Sequence, residues 1–71
     1  MNMDKDVHLP PHLRDVAQLL AEGKSNQEIA QSLVISLHTS EKYVSELKRL
    51  ARARDRVELV LMCQKLGSGL P

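Results

Sequence analysis

The sequence predicts an all-α chain, a compact four-helix domain containing a helix-turn-helix. Three observations carry that prediction. The 71 residues include one aromatic (Tyr43), three glycines and three prolines, so β-strand composition is missing and the core must be aliphatic. Apolar residues recur at helical spacing in four successive stretches. Two serine- or aspartate-led capping signatures, Ser25 with Glu28 and Asp55 with Glu58, mark helix starts in the second and fourth of them. The length holds one domain, near the size where a single core only just suffices.

Residues 1–9 are polar and charged without sustained period and read as a flexible lead-in or linker. The domain is expected over 10–66. Pro10 and Pro11 suit the first turn of helix one, where a missing N–H costs nothing. Leu13, Val16, Ala17, Leu19 and Leu20 give that helix its apolar face, and Gly23 is placed to end it in a left-handed conformation.

Helix two is expected from Asn26 to Leu33, capped by Ser25 and facing inward through Ile29, Ala30 and Leu33. Val34-Ile35-Ser36 is too short for an element and reads as the turn, with Ser36 as N-cap of helix three, about 37–52. Two helices joined by a turn of about 3–4 residues form a helix-turn-helix, whose second helix is the one laid in the DNA major groove. Val44, Leu47, Leu50 and Ala51 are expected to pack inward. His38, Glu41, Lys42, Ser45 and Arg49 make a polar stripe on the other side. Helix four begins near Arg56 and carries Val57, Leu59, Val60, Leu61, Met62 and Leu66, more apolar surface than one face hides, which points to a partner. Residues 67–71 read as a tail.

Charge is unevenly spread. From His38 to Arg56 there are six basic residues (Lys42, Lys48, Arg49, Arg52, Arg54, Arg56) and three acidic (Glu41, Glu46, Asp55). That segment is therefore +3, against −2 for the rest of a chain whose net charge is +1. Such a basic half suits a phosphate-binding face, although a solvated helix surface of mixed charge reads the same way.

No apolar run approaches the ~20 residues of a membrane span, and no signal peptide opens the chain. The lone Cys63 fits a small apolar role in a reducing cytoplasm. His8 and His12 are separated by Pro10-Pro11, which denies them one helix face, so no metal site is expected. With no glycine-rich phosphate loop and no arguable nucleophile-base pair, neither cofactor nor enzymatic activity is expected.

From Leu19-Leu20-Ala21-Glu22-Gly23-Lys24-Ser25-Asn26-Gln27-Glu28-Ile29-Ala30 through Leu33, Ile35-Ser36, Thr39, Val44-Ser45 and Arg54-Asp55-Arg56, the chain resembles the LuxR/NarL/GerE-type helix-turn-helix domain. The resemblance runs without a gap from about Leu9 to Leu66. It implies a cytoplasmic bacterial transcriptional regulator, or its C-terminal effector domain, of response-regulator type, on the nucleoid when bound. Such a protein binds double-stranded DNA as a dimer.

Carried over by position, the base-edge residues are Glu41, Lys42 and Ser45, with His38 at the helix end able to assist. Phosphate contacts are expected from Ser25, Asn26, Thr39, Tyr43, Lys48, Arg49 and Arg56, although Ser25 and Asn26 read equally as capping residues alone. A weak homodimer is implied through helix four, at Val57, Leu59, Val60, Met62 and Cys63.

The departures from the family cluster. Ser40-Glu41-Lys42-Tyr43 stands where the family usually has Val-Lys-x-His, so a groove-facing lysine has become a glutamate. Pro10-Pro11-His12 replaces a Thr-x-Arg-Glu start. Glu41 keeps a second reading open: a protein-interaction module of the same fold, with weak or no DNA binding, that pairs through helix four with a related regulator or other partner.

Overall fold

The computed structural model describes residues 9–68, with side chains described as far as Lys65. The expected lead-in, apart from Leu9, lies outside the described residues, as do His8 and the last three residues of the tail. Among the described residues the secondary structure is helical throughout: α1 Pro11–Ala21, α2 Asn26–Leu33, α3 Leu37–Ala51 and α4 Arg56–Ser68. None of these is long and apolar enough to cross a membrane.

Each helix starts and stops for a local reason. Pro10 offers no side-chain cap to α1, but its carbonyl accepts from the N–H of Leu13 (2.9 Å) and of Arg14 (3.1 Å). At the other end Gly23, at φ 85°, lets its own N–H reach Leu20 O (2.9 Å) and that of Lys24 reach Leu19 O (3.1 Å). This is a Schellman closure on a residue with no Cβ to obstruct it.

Ser25 caps α2 reciprocally. Its Oγ accepts from Glu28 N–H at 3.1 Å, while its own N–H donates to Glu28 Oε1 at 2.8 Å. Val34 then closes α2 in the left-handed region at φ 56°, a conformation that is unfavourable for a β-branched residue. Ser36 caps α3 through Thr39 N–H (3.0 Å), and α3 closes on Arg52 at φ 58°.

The second expected box is present in altered form. Asp55 Oδ1 accepts from Glu58 N–H at 2.9 Å, but Glu58 Oε1 takes the N–H of Arg54 (2.6 Å), one residue earlier than the standard box.

The core is aliphatic, as the composition requires. Leu13, Val16, Ala17 and Leu20 of α1 meet Ile29 of α2, Val44 and Leu47 of α3, and Leu59 and Cys63 of α4. α1 is central; it packs most extensively on α4 and next on α3, while α2 packs chiefly on α3. Leu9, Leu33, Tyr43, Ala51 and Val60 close the rim. Gln64 Nε2 adds a polar tie from α4 to Ala21 O at 3.1 Å.

Two expected faces are rotated. On α3 the buried line runs Ser40, Val44, Leu47 and on to half-buried Ala51, alternating steps of four and three. Leu50 drifts off that line by about one residue's turn and is 55 % exposed instead of packed inward. On α4 the buried line is Leu59 and Cys63, at 0 and 4 % exposure. Both are therefore core residues of this chain, not the dimer contacts expected of them. Their four-residue spacing turns Val57 and Leu61 outward, at 69 and 58 % exposure, and leaves Val60 and Met62 half-buried.

Candidate nucleic-acid interface

The geometry of α3 follows from its buried line. With Ser40, Val44 and Leu47 against the core, the opposite face is His38, Lys42, Ser45 and Arg49, all exposed. Glu41 flanks this row on one edge and Glu46 on the other, both exposed. At 15 residues the helix is about 22 Å long, enough to lie along a groove about 12 Å wide.

The row presents two cations and two hydroxyl- or imidazole-type groups. It is a face of donors with a carboxylate at its border. Lys48, expected beside Arg49, is half-buried; both lie in the last turn of α3, where their charge complements the helix dipole.

Thr39 and Tyr43 are half-buried at the edge of this face. The Thr39 hydroxyl accepts from Ser36 Oγ at 2.9 Å, so its own proton remains available to an acceptor outside. The Tyr43 ring packs against the His12 ring, centroids 4.7 Å apart and tilted by 54°. His12 Nε2 also stands 3.6 Å from Glu46 Oε1. His12 thus braces α3 from α1. Its partners lie far along the chain, so no local pattern announces it.

Ser40 is a further residue that sequence reasoning passed over. It is fully buried, and its Oγ lies 2.7 Å from Leu37 O and 3.0 Å from Asn26 O, positioned to donate to either. Its hydroxyl therefore holds α3 to the first turn of α2. The signal was available: Ser40 is four residues before Val44 and seven before Leu47, so the helical period places it inside.

At the start of α2, Ser25 is exposed with its oxygen engaged in the cap, and Asn26 is half-buried. The Arg56 guanidinium reaches across from α4, donating from Nη1 to Asn26 Oδ1 (2.7 Å) and from Nη2 to Lys24 O (3.1 Å). These residues, with Leu37 and Val60, line a shallow open depression beside the start of α3.

The cap box leaves an electrostatic mark here. The Ser25 backbone N–H, with Lys24 nearby, holds the Glu28 carboxyl below its ordinary value. Burial pushes the Cys63 thiol the other way, upward, which keeps it neutral within the core. No cluster of three or more metal-ligating side chains occurs among the described residues.

Comparison with known proteins matches this arrangement to a family. The model described as "Bacterial regulatory proteins, luxR family" aligns with residues 9–63, from the half-buried Leu9 to Cys63 in the core. The chain is 41 % identical over 54 residues to "Probable transcriptional regulator ycf29" of Cyanophora paradoxa, a match covering 76 % of this chain and 26 % of that protein. The chain thus spans about a quarter of that relative's length. No solved structure matches. The match over about three-quarters of the chain, on a fold whose α2–turn–α3 unit presents one polar helix face, establishes that this chain belongs to the luxR family of bacterial regulatory proteins.

Proposed function

We propose that this domain is the DNA-reading part of a transcriptional regulator, a binding module and not an enzyme, with α3 in the major groove of double-stranded DNA. The observation that carries this reading is the division of α3 into a core line and an outward row of His38, Lys42, Ser45 and Arg49. Lys42 supplies donors suited to guanine O6 and N7; Glu41 only accepts and suits cytosine N4; Ser45 serves either. His38 assists from the N-terminal end. Ser25, Asn26, Thr39, Tyr43, Lys48 and Arg49 position the helix through phosphates.

The outward apolar pair on α4 favours a weak dimer through Val57 and Leu61, edged by Val60 and Met62. Two recognition helices would then fall in half-sites about one turn, ~34 Å, apart. A cytoplasmic location follows from this role.

Glu41 favours a second reading, a protein-interaction module that has kept the fold. A carboxylate is exposed beside the outward row where phosphates would approach, and it is repelled unless it meets a donor. Glu41→Lys separates the two. If the domain reads DNA, selection from a random duplex library returns a preferred site for the wild type and a changed or lost preference for the variant. A wild type that binds no duplex, beside a variant that does, would establish the interaction module instead.

A further inference from the structure

We infer that Arg56 is a positioning residue: it orients the Asn26 carboxamide so that its N–H₂ group, not its oxygen, is offered to a DNA phosphate. This rests on the DNA-binding reading above and assigns one residue a role within it.

The argument starts from a charge in an unfavourable place. Arg56 is the first residue of α4, where the helix dipole disfavours a cation, and the α2 terminus it reaches has the same polarity. Two acceptors offset that cost. Nη1 donates to Asn26 Oδ1 at 2.7 Å and Nη2 to Lys24 O at 3.1 Å, the two-pronged geometry a guanidinium supplies and an ammonium does not.

A guanidinium has no acceptor, so the carboxamide must turn its oxygen toward Arg56. Its N–H₂ is then the end left over, and among the described residues no protein acceptor is bonded to it. The backbone of Asn26 is held as well, since its carbonyl oxygen lies 3.0 Å from Ser40 Oγ on α3. Asn26 is thus gripped from α4 through its side chain and from α3 through its main chain. A phosphate accepts and never donates at neutral pH, so only an N–H₂-outward carboxamide helps to bind one. Arg56, expected from sequence to contact phosphate itself, has at least two of its donors committed inside the protein.

The test uses the full chain and a mixed-sequence duplex, with affinity read by fluorescence anisotropy. Arg56→Lys keeps the charge and loses the fork; Asn26→Ala loses the carboxamide. Each should weaken binding by roughly fivefold to tenfold, and the double variant should be no weaker than either alone to within about twofold.

In the free protein, the Asn26 side-chain amide proton pair in a nitrogen-15 NMR spectrum should shift in Arg56→Lys while the melting temperature holds. Arg56→Lys binding within about twofold of wild type, losses that multiply in the double variant, or an unmoved amide pair would each overturn the positioning role. A wild type that binds no duplex would overturn the DNA-binding reading itself. The amide pair would still report whether Arg56 orients Asn26.

Discussion

The two sides of α4 make opposite predictions for two leucines two residues apart. Leu59 is fully buried against α1, whereas Leu61 is 58 % exposed on the opposite face. Leu59→Ala removes three buried carbons, worth about 2.4 kcal/mol in transfer, and the cavity left behind raises the cost to about 3 kcal/mol. A domain of 71 residues has roughly 4–10 kcal/mol in all, so this one change removes a large share. At about 4–8 °C per kcal/mol the melting point should fall by roughly 12–24 °C.

Leu61→Ala should cost no more than about 0.5 kcal/mol in the monomer, a few degrees at most. Thermal melts followed by circular dichroism at micromolar concentration, repeated at tenfold dilution to remove any contribution from dimers, measure both. Equal losses, or a larger loss for Leu61→Ala in the dilute sample, would refute the face assignment of α4.

Further outcomes follow from the caps. Val34 holds a left-handed conformation at φ 56° while 89 % exposed, so Val34→Gly should relieve strain at no packing cost and raise stability by about 1 kcal/mol; a lower melting point would show that the turn depends on that side chain. Glu28 has a folded carboxyl value lowered from 4.5, so its contribution is present above that value and lost as pH falls through the lower, folded one. The melting-point gap between wild type and Glu28→Gln should accordingly be open at pH 7 and narrow as the pH falls below 4.5. A gap that stays constant with pH would mean the charge on the box is not what stabilises it.

How far the sequence discloses this molecule depends on how local each interaction is. Ser25, Ser36, Asp55 and Gly23 act on N–H and C=O groups within a few residues, so helix ends and the turn are legible from spacing alone. The inward face of α4 is not, because residues 57–62 are apolar at every position but Glu58, and such a run has no readable period. Leu50 misled for the opposite reason: a strict three-residue step from Leu47 looks helical but rotates away from the core, and Ala51 takes the position.

The candidate interface divides the same way. The outward row of α3 follows from periodicity, while the supports beneath it span long stretches of chain. Arg56 reaches Asn26, Ser40 reaches Asn26, and His12 reaches Tyr43 and Glu46. Only the folded packing of four helices brings those residues together.

The most direct test of DNA reading by α3 is a titration of a mixed-sequence duplex at about 50 and about 200 mM salt, with wild type and Lys42→Ala side by side. DNA reading requires the logarithm of wild-type affinity to fall linearly with the logarithm of salt concentration, with a slope worth several phosphate contacts, and weaker binding by Lys42→Ala. No binding at the lower salt, or affinity and base preference unchanged in Lys42→Ala, would contradict it.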